Sequence, residues 1–252
     1  MLKTMEKVVN RYIWDEVLRE HPLDPNQHAY MEGKSTVTAL HEMVAGIEKS
    51  MSKREVLVCA FSDIAGAFDF LNYESIEEQA ERKHIPRPAV RWIMGLLQSR
   101  LIIAQLGEES IIIRPGRGCP QGGVLSPLLW ALVVDDLLQI FADDLVLIVQ
   151  GSDKRAMEAQ LQRALDFIVN WCQGKGLKIH PDKTVVVPFT RKRGFDLEPP
   201  TVEGTRVRIS REVKYLGVLL DSKLNWNKHV DMVLTKAARA FGACKMLFGT
   251  KW

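Results

Sequence analysis

Along this 252-residue chain the apolar positions recur with a helical period in some stretches and as short unbroken runs in others. Residues 1–20 read as a helix of mixed polarity. His21-Pro-Leu-Asp-Pro25 breaks it, since proline removes a backbone donor and cannot continue a helix. Ser35 precedes a helix with Val37, Leu40, Val44, Ile47 and Met51 on one face, and its hydroxyl suits the free amides of a first turn. Val56 to Phe61 is an unbroken apolar run, read as a buried strand that leads to Asp63. Helices are expected from about Tyr73 to Lys83, closed by Ile85-Pro86, and from about Pro88 to Ser99. Leu101 to Leu106 and Ser110 to Arg114 form two strands of a hairpin across Gly107-Glu108-Glu109.

In the second half, the glycine-dense Gly116-Arg-Gly-Cys-Pro-Gln-Gly-Gly123 precedes an apolar helix starting near Ser126-Pro127. Ser152 is expected to cap a long helix that buries Met157, Leu161, Leu165, Ile168 and Cys172 and stops at Gly174. Thr184 to Phe189 and Lys214 to Leu220 read as strands. Val230, Val233, Ala237, Phe241, Cys244 and Phe248 make the apolar stripe of a final helix. There is no internal repeat, low-complexity tract or obvious linker.

Composition narrows the class. A hydrophobic content of 46% with 26% charged residues describes an ordinary globular chain. No apolar run approaches the roughly 18 residues of a membrane span, and Met-Leu-Lys-Thr-Met-Glu-Lys lacks the apolar stretch of a secretory signal. Cys59, Cys119, Cys172 and Cys244 are far apart in sequence, so zinc is not expected and a reducing compartment is. The net charge of +3 is small, but Arg191-Lys-Arg193, Arg206, Arg208, Arg211 and Lys214 crowd the C-terminal third, followed by Lys236, Arg239, Lys245 and Lys251. Such a segment either tracks phosphates or is a solvated charged face.

Three acidic residues carry the chemistry. Asp143-Asp144 lies in Phe141-Ala-Asp-Asp-Leu-Val-Leu-Ile148, and Asp63 closes Val56-Leu-Val-Cys-Ala-Phe-Ser-Asp63. Carboxylates held close together repel unless cations sit between them. A hard divalent ion takes oxygen ligands, and two such ions would clamp the attacking and leaving oxygens of a phosphoryl transfer. The reading is a nucleotidyl transferase. Asp135-Asp136, within Leu132-Val-Val-Asp-Asp-Leu-Leu138, is read as a helix-surface pair and not a metal site. Gly33-Lys34-Ser35 has the ending of a phosphate-binding loop, but His28 stands where that motif needs glycine. The six histidines show no paired spacing.

Five stretches then fall in one order: Asp63-Ile-Ala-Gly-Ala-Phe-Asp69, Gly118-Cys-Pro-Gln-Gly-Gly-Val-Leu-Ser-Pro127, Phe141-Ala-Asp-Asp144, Gly176-Leu-Lys-Ile-His-Pro-Asp-Lys-Thr184 and Lys214-Tyr-Leu-Gly-Val-Leu-Leu-Asp221. In this order the chain resembles the reverse transcriptases of non-LTR retrotransposons, in particular the jockey-like elements, from about Met1 to its C-terminus. The resemblance implies an α+β fold: a right-hand polymerase palm, an antiparallel sheet with helices on one face, plus a helical thumb. The fingers would be largely missing. Residues 1–50 would be a remnant of the fingers and fingers–palm helices, 51–221 the palm and 222–252 the start of the thumb. Fingers and endonuclease segments are expected upstream in a full-length element.

The same resemblance implies roles. Asp63, Asp143 and Asp144 would hold two Mg2+ ions, with Mn2+ able to substitute. Lys183 would stand near the triphosphate leaving group as an acid or charge stabiliser. Phe68 would check the sugar 2′ position, and Gln121 and Gly122 would pack under the incoming nucleotide. Tyr215, Leu216 and Gly217 would grip the primer end. The activity implied is an RNA-directed DNA polymerase acting on an RNA template, a DNA primer and dNTPs, with no membrane partner. It would be intracellular, in the nucleus at the site of target-primed reverse transcription. A second reading is a catalytically dead remnant that keeps the fold and binds RNA. A third is a different two-metal phosphoryl-transfer enzyme.

The sequence departs from that pattern at His180, where the family usually has asparagine, and between Gln121 and Asp143. There the helical pattern lasts to about Leu138 and leaves only Gln139-Ile-Phe-Ala142 to return. A helix of that length travels about 18 Å at 1.5 Å per residue; the return takes about six extended residues. Either the helix ends near Val134 and Leu137 to Phe141 becomes a strand, or the hairpin is malformed.

Overall fold

The structure, a computed structural model, describes residues 2–107, 109–137, 140–141 and 144–248; for residues 136, 140, 141 and 245–248 only the backbone is described. The chain opens with α1 (Leu2–Tyr12), a π-helical turn (Ile13–Val17) and the short α2 (Leu18–Glu20). Next come α3 (Thr36–Ser52), β1 (Val56–Ala65), α4 (Ala67–Phe70), α5 (Tyr73–Arg82) and α6 (Arg87–Gln98). The hairpin β2 (Ile102–Leu106) and β3 (Glu109–Ile113) leads to α7 (Ser126–Val133), β4 (Ile140–Phe141), β5 (Asp144–Gly151) and α8 (Lys154–Gly174). The remainder is β6 (Lys178–Ile179), β7 (Val185–Phe189), β8 (Thr201–Val202), β9 (Thr205–Arg206), β10 (Arg208–Ile209), β11 (Glu212–Tyr215), β12 (Val218–Asp221) and α9 (Asn227–Phe248).

Among the described residues six strands form the central sheet in the order β10-β7-β1-β5-β4, with β6 paired to the end of β1. All pairs are antiparallel except β10 with β7, so the sheet is mixed. Alternation along β1 divides the interior in two, because successive side chains point to opposite faces. Val56, Val58, Ala60 and Ile64 meet the buried sides of α5, α6, α7 and α8. Leu57, Cys59 and Phe61 meet Met43, Ile47 and Met51 of α3 together with Tyr215 and Leu220 of the β11–β12 hairpin. Most helices thus share one face, as expected; α3 lies on the other, with that hairpin. The architecture is a palm-like α+β fold.

Sequence and structure differ at instructive places. The helix after the glycine loop stops at Val133 and continues only as a 3-10 turn over Val134–Asp136. Leu128 to Val134 are all buried, so α7 is apolar on every side and its pattern gives no period from which to read an end. Strand β4 then pairs Ile140 with Leu145 and Phe141 with Asp144, so the hairpin forms despite the short connection. Asp135 is no solvated surface residue: it pairs with Lys83 at 2.6 Å and accepts the Asp24 amide at 2.7 Å.

The cap of α8 is Asp153, which accepts from the Ala156 amide at 3.0 Å, one residue beyond the expected Ser152. Ser35 does cap α3, in a reciprocal pair with Thr38, while Val37 points to solvent. On α9, Val230, Val233 and Phe241 are exposed. At the N-terminus the buried Glu6 carboxylate accepts the Val124 and Leu125 amides at 2.7 and 3.2 Å, which caps α7 from 118 residues away in sequence and complements its positive end.

Candidate active site

Strand β1 brings Asp63 to the end of a buried run, and β5 begins at Asp144. The two residues are direct partners in the antiparallel register. Directly opposite residues point to the same face, with Cβ atoms about 4.5–5.5 Å apart. That face is the one carrying Leu57, Cys59 and Phe61. Asp143 lies outside the described residues.

Above the pair is an open pocket of about 420 Å³. Asp63 and Asp144 share its lining with Lys183, Arg208, Lys214 and Tyr215. Lys183 Nζ donates to Asp63 Oδ2 at 2.6 Å. Its position is fixed from below. The Thr184 hydroxyl donates to His180 O at 2.9 Å, so the Ser62 hydroxyl is the donor in its 3.0 Å bond to Thr184 Oγ1. The His180 amide also reaches Asp63 O at 3.3 Å. The 3-10 turn Pro181–Lys183 is thereby tied to β1 immediately beside Asp63.

Tyr215 closes the pocket at the end of β11, its ring centroid 5.3 Å from that of Phe61. Its phenol is pushed well above the usual tyrosine range, first by burial and then by the Asp144 charge. It therefore stays neutral and cannot act as a base near neutral pH. Leu216 and Gly217 form a two-residue turn between Tyr215 and Val218, both at positive φ. This matches the twist of a tight hairpin. A leucine there is strained, and its half-buried side chain packs against the core.

Phe68, Gln121 and Gly122 meet around a second pocket of about 270 Å³, shared with Tyr30 and Pro120. Phe68 lies on α4, its ring 5.8 Å from Trp130 and 6.3 Å from Tyr30. The glycine loop is laid against α4: the Gly118 amide donates to Leu71 O and the Cys119 amide to Phe68 O, both at 2.7 Å. Gly118 is required twice over, since its φ is +82° and a Cβ would lie 2.4 Å from Asp69 O. Gly122 has φ +77° and open space where a Cβ would stand, so there the demand is conformational and the surface stays clear. Gln121 Nε2 donates to Asp69 Oδ1 at 3.3 Å. Arg100 and Tyr73 hold the loop from behind, Arg100 donating to Gly118 O and to the Tyr73 hydroxyl. The pattern gave no sign of either residue.

Two opposed carboxylates that share one face with a bound ammonium suit a hard cation, since they supply oxygen donors and a field that attracts positive charge. Among the described residues no group of three or more His, Cys, Asp or Glu gathers as a metal site. Also among them, no helix is long and apolar enough to cross a membrane. Burial drives the Cys119 and Cys172 thiols up to about 12 and raises that of Cys59 further. These three are core groups, not nucleophiles.

The fold is that of polymerase palms. A telomerase from Candida tropicalis, in complex with a fragment of telomeric RNA, superposes with a TM-score of 0.62 at 12% identity, over 87% of this chain and 37% of that one. The family model for "Reverse transcriptase (RNA-dependent DNA polymerase)" matches residues 1–220, and the chain belongs to that family. It is 25% identical over 266 residues to the probable RNA-directed DNA polymerase from transposon BS of Drosophila melanogaster, covering 99% of this chain and 29% of that protein. Over 263 residues it is 25% identical to the RNA-directed DNA polymerase from mobile element jockey of the same fly, 95% and 28% of the two chains. A Pol polyprotein from the type-1 retrotransposable element R2 of Nasonia vitripennis is 29% identical over 230 residues, 79% and 22%. The chain thus spans less than a third of the length of each of these relatives.

Proposed function

We propose that this chain is the palm and the start of the thumb of an RNA-directed DNA polymerase from a jockey-like non-LTR retrotransposon, extending a DNA primer on an RNA template with dNTPs. Residues 51–221 would be the palm, 222–252 the start of the thumb and 1–50 a remnant of the fingers and fingers–palm helices. The observation that supports this most is the pairing of Asp63 with Asp144 on one face, beneath a pocket edged by Lys183, Arg208 and Lys214.

In this reading Asp63 and Asp144, with Asp143, hold Mg2+. When bound, the metal supplies Lewis-acid activation of the primer 3′-hydroxyl and neutralises charge at the triphosphate. The chain's own groups do the rest. Lys183, held beside Asp63 by the Ser62–Thr184–His180 network, places an ammonium at the departing pyrophosphate, where it donates a proton or stabilises charge. Arg208 and Lys214 attract the polyanion into the pocket. Tyr215, neutral and rigid, together with Leu216 and Gly217 supports the primer end. Phe68, braced by Trp130 and Tyr30, presents a ring that excludes a 2′-hydroxyl. Gln121 and Gly122 lie beneath the nucleotide base. The site belongs inside the cell and, for a target-primed reaction, in the nucleus.

Primer extension on an RNA template with Mg2+ tests this. The wild-type chain should incorporate dNTPs, and Asp144→Asn should reduce incorporation by about 10²-fold or more while RNA binding persists. A wild-type chain that binds RNA and never extends a primer would make it a silent RNA-binding remnant. Cleavage of nucleic acid without incorporation would point to another phosphoryl-transfer enzyme.

A further inference from the structure

At the end of β1 away from Asp63 is a cationic hollow that the polymerase reading does not use. It has a volume of about 470 Å³, and its walls include Arg54, Arg191 and Lys192, the hydroxyl residues Ser52 and Thr190, and Glu55. The two arms are 137 positions apart in sequence. They meet because β1 and β7 run antiparallel, with Leu57 opposite Phe189, so the chain entering β1 and the chain leaving β7 emerge side by side. Lys49, Lys53 and Arg193 flank the hollow in sequence, and all six cations are exposed. None of the six forms an ion pair with a described residue. Glu55, the one carboxylate among the described residues on the wall, already accepts a hydrogen bond from Gln150.

The backbone adds a second observation. Arg54 sits at φ +58°, a left-handed conformation that costs an ordinary side chain about 1 kcal/mol. It is fixed there by the Arg54 amide on Met51 O and the Glu55 amide on Ser50 O, both 3.1 Å. On the other arm the Lys192 amide donates to Thr190 Oγ1 at 3.1 Å, and the Thr190 amide donates to Ser222 O at 3.0 Å. Both arms are therefore held by hydrogen bonds.

We propose that this hollow is a second nucleic-acid contact, binding backbone phosphates of an RNA strand. The assignment rests on the polymerase reading only for the choice of RNA as the polyanion. Val56 to Asp63 spans seven residue steps, about 23 Å of strand. At about 3.4 Å per stacked nucleotide, a stacked RNA strand that touches the carboxylate pocket and the hollow together spans roughly seven nucleotides. The hollow would thus hold the strand at a distance from the reacting end, a contact that adds affinity and carries no sequence information.

The test is equilibrium binding of a 20-nucleotide single-stranded RNA to the whole chain across a salt series, without nucleotides or divalent ions. It therefore reads the hollow whether or not the chain extends primers. The variant Arg54→Asn, Arg191→Gln, Lys192→Gln keeps a residue that tolerates left-handed backbone at 54. It should weaken binding about tenfold or more and flatten the slope of log K against log salt by about two, as loss of three phosphate contacts implies. Removing three exposed cations elsewhere, in Arg91→Gln, Arg155→Gln, Arg163→Gln, should do neither. Arg54→Lys with Arg191→Lys should retain wild-type affinity. Equal weakening by both triple variants, or an unchanged slope in the first, would overturn the proposal. So would polyglutamate bound as tightly as RNA and lost in the first variant, which would give the hollow to an acidic protein.

Discussion

At the scale of single residues, the buried and half-buried polar groups make the sharpest claims. Tyr215 keeps its proton in the folded chain beyond the pH at which an unfolded tyrosine, near 10.0, gives it up. Its contribution is full below about pH 10 and is lost as pH climbs towards the higher folded value. Chemical denaturation between pH 10 and 11.5 should show stability falling less steeply in Tyr215→Phe than in wild type, by up to about 1.4 kcal/mol per pH unit; equal slopes would refute the assignment. Asp135 offers a second case. Its ion pair with Lys83 is nine-tenths buried on the aspartate side and leaves Lys83 17% exposed, and removing one partner strands the other. Asp135→Asn should cost about 2–4 kcal/mol in urea unfolding, against less than about 0.5 kcal/mol for an exposed change such as Asp166→Asn. From sequence alone Asp135 was indistinguishable from a solvated pair, because Lys83 and Asp24, the residues that give it a structural role, are 52 and 111 positions away.

At the scale of elements, the legible parts were those whose two faces differ. Helices α5 and α6 and the hairpin β2–β3 fall within a residue or two of where periodicity and turn chemistry put them. The apolar pattern alone carries α7 to about Leu138, because the helix is apolar all round; the shortness of the return to Asp144 is what points to an end near Val134, and the helix stops at Val133. Residues 214–220 read from pattern as one strand because the turn between β11 and β12 uses Leu216 in place of the usual asparagine or glycine. Patterning also cannot tell a stripe that is buried from one that is not. Ile103 and Ile112, cross-strand partners, are 64% and 61% exposed, in a hairpin with no other strand beside it among the described residues. Such an edge is prone to self-association. Ile103→Thr with Ile112→Thr should leave unfolding free energy within about 0.5 kcal/mol and reduce concentration-dependent light scattering. A loss of several kcal/mol would mean that the hairpin is part of the core.

At the scale of the whole molecule, the candidate site is a product of strand register. Both acids were readable as ends of apolar runs, and the order of the five motifs was readable from the chain. That Asp63 meets Asp144 face to face depends on β1 pairing with β5 without a slip, since a shift of one residue would send them to opposite faces. The same sheet sends Arg54 and Arg191 to its far end, a convergence that no local pattern announces. The central claim is that the two opposed carboxylates form one divalent-cation site. Manganese binding followed by electron paramagnetic resonance tests it without requiring catalysis. The account predicts that Asp63→Asn and Asp144→Asn each weaken Mn2+ binding by about tenfold or more, with Asp166→Asn unchanged. Wild-type affinity in both site variants would contradict it.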